Sequence, residues 1–414
     1  MAAVALAHGL NAKSAVGNTR ARDRKPLAFF ITEKNVSDDI LSLSAGELVE
    51  RYRTKQLSPV EAVKAALARI QKLQPIYNAF VLVDEESALG SARESAARWQ
   101  KGTPLGIVDG VPSTVKDLIL TKGWPTRRGS RTVDPNQPWE EDGASVARMR
   151  EQGAIFLGKT TTPEFGWKGV TDSPLTGTTC NPWDTRMTPG GSSGGAAVAS
   201  ALGMGALHLA TDGGGSIRIP AGFCGLFGFK PTWGLVPVYP HSLAFTLWHQ
   251  GPISRTVSDA ALMQTVISRP DARDPYQAPP LNIDYRQELD AGVKGLRIGY
   301  SPTLGYANVD SEVAALVERG VHRFTELGAH VEEIDLALED PIAILQPLWE
   351  VAMAMGVAPM TPEQRALCDQ PMLEIADAGM RLSALEHRQA EGQREAFARR
   401  MLALHEKYDL LVTP

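Results

Sequence analysis

Apolar residues recur at a helical spacing through Val60, Val63, Leu67, Ile70 and Leu73. This predicts a helix from about residue 59 that stops at Pro75. Ser58 stands ahead of it as N-cap, Pro59 takes the first helical position and Glu61 completes a capping box. A second box, Ser44 with Glu47, opens the LVERYR stretch. The run AFVLVD (79–84) reads as a strand and SALGSARESAARWQ as the next helix. GVPSTV, just before Lys116, reads as a buried strand. ASVARMREQ (144–152) is helical in pattern and AIFLG (154–158) extended. Further on come a strand (294–301), a helix (312–328) and another strand, AHVEEIDL. Alternation of this kind predicts an α/β fold with helices covering a mostly buried sheet. No internal repeat or low-complexity linker interrupts it, and the Pro- and Asp-rich stretch 269–284 is expected to be a surface excursion within one domain.

Composition narrows the class. The chain has 414 residues, 43 % of them apolar, enough for a sizeable core in one large α/β domain. A net charge of −5 gives no footprint for nucleic acid and no acidic tail. No apolar run approaches the roughly 20 residues of a membrane span. Cys180, Cys224 and Cys368 are odd in number and far apart, which suits a reducing cytoplasm better than a disulfide framework. The opening MAAVALAHGL has no basic residues ahead of its apolar stretch, so a signal peptide is not expected. Residues 1–38, with a basic cluster at Arg20–Lys25, are expected to form a loosely ordered extension.

The candidate chemistry sits in a serine- and glycine-rich block. It reads TPGGSSGG, then an alanine-rich stretch, then TDGGGSIRIP. Ser192 and Ser216 each follow consecutive glycines. Glycine lets backbone N–H groups turn inward, and a concave row of them can receive an oxyanion. Ser216, closing such a turn, is placed to be a nucleophile. A serine needs a base, and lysine serves when burial keeps it neutral. Lys116 follows an apolar, small-residue strand and meets that condition. Asp117 would recharge the site, but adjacent strand residues face opposite sides.

These signals together resemble the amidase signature family. The likeness runs from about Leu41 to Pro414 and is densest in GVPSTVKDL, GKTTTPEFG, NPWDTRMTPGGSSGGAAVASALG, TDGGGSIRIPAGFCGLFGFKPTWG and GPISRTVSDA. It implies a single domain with a large mixed β-sheet flanked by helices on both sides, and hydrolysis of amide bonds by a Ser–cis-Ser–Lys triad. On that resemblance Ser216 matches the nucleophile, Lys116 the base, and Ser192 the serine held by a cis peptide that relays the proton. Gly213, Gly214 and Gly215 match the oxyanion loop, Asp212 and Arg218 a polar pair that braces it, and Ser193 a supporting hydroxyl. The partner implied is a small-molecule amide, with no metal or organic cofactor, no nucleic acid and no membrane; a homodimer is left open. The chain stops at YDLLVTP where family members continue, so 39–414 is expected to be an amidase domain lacking its C-terminal portion.

Other readings compete. One makes the chain the amidase (glutaminase) subunit of a tRNA-dependent amidotransferase, and another makes it a truncated, inactive homologue. GAIFLGKT (153–160) satisfies the P-loop template, but a helical pattern precedes it and Pro163 interrupts any helix after it. GGSSG (190–194) satisfies the nucleophile-elbow template without a strand before it. Ser192 and Ser193 could also be helix N-caps ahead of GGAAVASALG. His208 and Cys224 are expected to be packed core residues, and Trp248 to approach the pocket.

Overall fold

The computed structural model describes residues 36–414. The N-terminal extension expected at 1–38 lies, through residue 35, outside the described residues. The rest divides into two compact units: 36–287 with Met360–Met372, and Glu288–Pro359 with Leu373–Pro414.

The first unit opens with α1 (Val36–Ser42), α2 (Ala45–Arg53) and α3 (Pro59–Tyr77). Both expected capping boxes are formed, Ser44 with Glu47 and Ser58 with Glu61. Helix α3 runs two residues past Pro75. The proline forfeits only its own N–H, and Gln74 secures the end by accepting from the Ala79 and Phe80 N–H groups at 2.9 Å each. Then follow β1 (Phe80–Val83), α4 (Glu85–Lys101), β2 (Pro112–Lys116), α5 (Ala144–Glu151), β3 (Ile155–Thr160), the hairpin β4 (Asp172–Ser173) and β5 (Gly177–Thr178), and α6 (Gly194–Ala201). The remaining elements up to residue 287 are β6 (Leu207–Asp212), α7 (Arg218–Cys224), β7 (Phe227–Gly228), β8 (His249–Ser254) and α8 (Val257–Ile267).

A six-stranded mixed sheet organises this unit, in the order β1-β3-β2-β6-β8-β7. The central strands β3, β2 and β6 run parallel, and β1, β8 and β7 pair antiparallel at the two sides. Every residue of β2, β3 and β6 is buried. Helices cover both faces, so these strands show no clean alternation of apolar and polar positions. One apolar cluster gathers Val115, Phe156, Leu207 and Leu209 with Trp99 and Met263. Another gathers Ile155 and Leu157 with Leu67, Ile70 and Val198. This is the mixed α/β sheet with flanking helices that the sequence implies.

The second unit holds β9 (Arg297–Tyr300), α9 (Ser311–Glu326), β10 (His330–Glu333) and α10 (Ile342–Val357). The short α11 (Pro362–Arg365) belongs to the first unit, and α12 (Gln370–Arg381) follows it. The second unit is completed by α13 (Ala384–Lys407) and β11 (Leu410–Val412). Its parallel three-stranded sheet has the order β10-β9-β11, and α10 packs on α13. Among the described residues, no helix is long and apolar enough to cross a membrane.

Candidate active site

Lys116 is the last residue of β2, and Asp212 the last residue of β6, its parallel neighbour. Carboxyl ends of adjacent parallel strands are where open α/β sheets place their sites. The loop at 188–193 brings two serines to this edge before α6 begins. The Lys116 side chain is fully buried. Its Nζ lies 2.7 Å from Ser192 Oγ, 2.9 Å from Ser193 Oγ and 2.9 Å from Thr211 Oγ1. Burial pushes its pKa well below the ordinary lysine value, against a partial opposing pull from the Asp212 carboxylate.

The hydroxyl protons can be followed around this amine. Ser193 Oγ donates to the Thr211 carbonyl at 3.1 Å, so its oxygen is left to accept from Lys116. An uncharged amine has two N–H bonds and one lone pair. Donation to Ser193 and Thr211 leaves the lone pair for the Ser192 hydroxyl. Ser193 occupies the N-cap position of α6 but makes no side-chain capping bond; its hydroxyl is committed to lysine and Thr211 instead. The Gly191–Ser192 peptide is cis.

Ser216 lies in the turn after β6 and is 8 % exposed. Its carbonyl accepts from the Ser193 N–H at 3.2 Å, which joins the two serine-bearing segments. The turn is wound around Asp212. That carboxylate accepts from the Gly215, Ile217 and Arg218 N–H groups at 2.8, 3.1 and 3.4 Å. The Arg218 guanidinium holds it with two further bonds, at 2.9 and 2.8 Å. Burial works to raise the Asp212 pKa, but Arg218 and the backbone donors hold it below the usual carboxylate value. The expectation of three oxyanion donors changes at Gly215, whose N–H is committed to Asp212. The N–H groups of Gly213, Gly214 and Ser216 make no hydrogen bond among the described residues.

Asp117 turns away from this cluster. Its carboxylate accepts from the Arg127 and Gly129 N–H groups at 3.1 and 3.3 Å and stands 3.9 Å from Lys159 Nζ. Burial raises the Asp117 pKa and lowers that of Lys159. Lys159 itself lies within β3 and donates inward to the Ile119 carbonyl and Thr126 Oγ1, at 2.6 and 2.7 Å. A lysine in a buried strand, tied to its own fold, is not a P-loop lysine. The elbow template at 190–194 has loop, not strand, before it. His208 is a packed residue of β6 that pairs through Nδ1 with Thr114 Oγ1 at 2.9 Å, and burial pushes its pKa down to about 3. The Cys224 thiol is free and buried, with its pKa pushed up to about 12. Trp248 precedes β8, and its indole N–H is buried with no partner among the described residues. Sequence reasoning passed over Thr211, although it stands immediately before Asp212 in the same serine- and glycine-rich block. Among the described residues, no group of three or more His, Cys, Asp or Glu side chains is placed to hold a metal ion.

The profile of the Amidase family matches residues 61–414. The chain is 36 % identical over 375 residues to an acylamidase of Rhodococcus erythropolis, covering 90 % of this chain and 78 % of that protein. It is 39 % identical over 298 residues to a glutamyl-tRNA(Gln) amidotransferase subunit of Myxococcus xanthus (strain DK1622), covering 72 % of this chain and 61 % of that protein. Among solved structures, a bacterial aryl acylamidase of the amidase signature enzymes superposes with a TM-score of 0.84 at 31 % identity, covering 90 % of this chain and 79 % of the other.

Proposed function

The chain belongs to the amidase signature family, and on that premise we propose that it hydrolyses a carboxylic amide through an acyl-enzyme on Ser216, with Ser192 as proton relay and Lys116 as base and acid. The observation that carries this reading is the fully buried Lys116 amine held 2.7 Å from Ser192 Oγ. A buried amine without a counter-ion in contact favours its neutral form, which can accept a proton.

The steps follow from the hydroxyl inventory. Ser216 Oγ attacks the amide carbonyl while its proton passes to Ser192 Oγ and the Ser192 proton passes to Lys116 Nζ. The tetrahedral oxyanion is received by the Gly213 and Gly214 N–H groups, with Ser216 N–H as a third donor. Collapse breaks the C–N bond, and Lys116 returns the proton through Ser192 to the leaving amine or ammonia. Water then attacks the Ser216 ester by the same route, releasing the carboxylic acid and restoring the neutral lysine. Asp212 and Arg218 hold the turn in the shape that aims its N–H groups, and Ser193 and Thr211 orient the lysine. No step calls for a metal or organic cofactor. That Cys180, Cys224 and Cys368 form no disulfide among the described residues supports a reducing, cytoplasmic setting.

The test is release of amine or ammonia from a panel of acyl anilides and aliphatic amides. Ser216→Ala and Lys116→Ala should each lower kcat by roughly 10⁴-fold or more while leaving the fold intact. Turnover retained in Ser216→Ala would remove the nucleophile from the account. A second reading, the glutaminase component of a tRNA-dependent amidotransferase, is favoured by the 39 % identity to the Myxococcus xanthus protein.

A further inference from the structure

The backbone at Gly166 passes directly against the relay serine. A Cβ there would stand 3.2 Å from Ser192 Oγ and 2.7 Å from Leu118 Cδ1. The residue also has φ +74°, so glycine meets both the space and the conformation. The turn Glu164–Gly166 is therefore a wall of the Lys116–Ser192 chamber, and whatever fixes the turn fixes the wall.

Two sets of bonds fix it. On one side, the Phe165 N–H donates to the Arg128 carbonyl at 2.8 Å, and Ser130 Oγ donates to Glu164 Oε1 at 2.6 Å. Both partners lie in the loop that follows β2. On the other side, the Asp369 N–H donates to Glu164 Oε2 at 2.6 Å. The Asp369 carboxylate accepts in turn from Trp167 Nε1 at 3.1 Å and Lys168 Nζ at 2.8 Å. Lys168 is shared with Asp172 at 2.9 Å. Glu164 is fully buried, and both of its oxygens are engaged. The segment Met360–Met372 belongs to the same compact unit as the turn. Charge-assisted bonds in a closed, largely buried network are strong and hold geometry tightly.

We propose that Glu164 and Asp369 are positioning residues of the hydrolytic site, clamping the 164–168 turn against Ser192. The inference rests on the reading of Ser192 as the proton relay. Neither residue takes part in the proton transfers of the triad; they act through Gly166, which keeps the serine hydroxyl aimed at Lys116 and water away from the amine. The charged group that bears on Lys116 from its own side of the sheet is Asp212, and Asp117 with Lys159 lie beyond β2.

The experiment uses the full chain and an acyl anilide substrate. Asp369→Ala should lower kcat by about 10- to 100-fold with KM within about threefold, the size expected when a reacting group is misplaced. It should also move the acid limb of kcat/KM to higher pH, because water admitted past the turn favours the charged lysine. Asp369→Asn keeps a carbonyl oxygen for Trp167 and Lys168 and should recover most of kcat. In a folded Asp369→Ala protein, kcat within about twofold of wild type and an unmoved limb would overturn the clamp, as would equal losses in the Ala and Asn variants. Should Asp369→Ala fail to fold, Trp167→Phe deletes one donor and carries the same expectation at smaller size; unchanged kcat and limb there would overturn it equally. Ser216→Ala in parallel separates the two readings. Turnover surviving in Ser216→Ala, or no turnover by the wild type, removes the acyl-enzyme reading and the clamp with it. Turnover lost in Ser216→Ala but normal in Asp369→Ala removes the clamp alone.

Discussion

Lys116 makes the site expensive to fold as well as able to react. In the unfolded chain its amine is protonated at neutral pH, with the ordinary value near 10.5. In the folded protein burial holds that value well below, so folding at any pH between the two values releases a proton. Stability from this residue therefore rises with pH through the window between the lowered folded value and 10.5, and is smallest below it. Lys116→Met, which has no proton to release, should abolish turnover yet unfold at a higher temperature than wild type at neutral pH. The gain should be on the order of 1 kcal/mol or more, about 2–4 °C for a chain of this size. It should shrink as pH approaches 10, which thermal melts across a pH series would read directly. A Tm unchanged or lowered at every pH would mean that the lysine is folded in its charged form. Lys116, Ser192 and Ser216 could be singled out in the sequence because each sits in a contiguous motif, lysine after a small-residue strand and serines after paired or tripled glycines, whereas Thr211, which also contacts the lysine, was passed over. Gly215 was legible as a loop residue but not as a committed donor, since only coordinates show its N–H on Asp212. Glu164 and Asp369, 205 positions apart, were not singled out: Glu164 stands in GKTTTPEFG, a stretch that carried the family likeness without a role for this residue, and Asp369 stands in no marked pattern.

At the level of elements, several helices were readable from their apolar spacing, and some elements were not. Helices α3, α4, α5 and α9 lie within a few residues of their expected positions. The α13 sequence carries Gly392 and charges around most of its circumference, so no stripe announces it. Strand β8 contains Gly251 and Pro252, residues that argue against a strand when read locally; it is held by its pairing with β6 and β7. Helix α6 shows how an element is tied to the site it serves. Gly195 in its first turn approaches neighbouring backbone so closely that a Cβ would lie 2.4 Å from the Thr161 N and 2.5 Å from the Ala79 O. Gly195→Ala should therefore push α6 off the sheet edge, costing roughly 1–3 kcal/mol or more. It should also lower kcat, because Ser192 and Ser193 lead directly into this helix. Urea unfolding and steady-state kinetics on one preparation would show both effects, and a fully stable, fully active variant would show that the segment has room to relax.

For the whole molecule, the α/β class followed from the alternation of elements, because a buried sheet demands helices on both faces, and the mixed sheet was implied by the family resemblance. The division into two compact units did not, since Met360–Met372 joins the first unit across a long stretch of intervening sequence. The two proposed readings of the chain differ in whether partner chains are needed. If the chain works as a free-standing amidase, it should release aniline or ammonia from simple amides when purified alone. Glutamine hydrolysis appearing only on addition of amidotransferase partner chains would favour the other reading. The central claim is more basic than either, namely that Ser216 is the nucleophile and Lys116 the base that activates it through Ser192. Fluorophosphonate labelling of the purified chain, followed by peptide mapping, tests that claim most directly. The account predicts one adduct, on Ser216, formed by the wild type and not by a folded Lys116→Ala variant. An adduct on Ser192, or labelling of Ser216 at the same rate without Lys116, would contradict it.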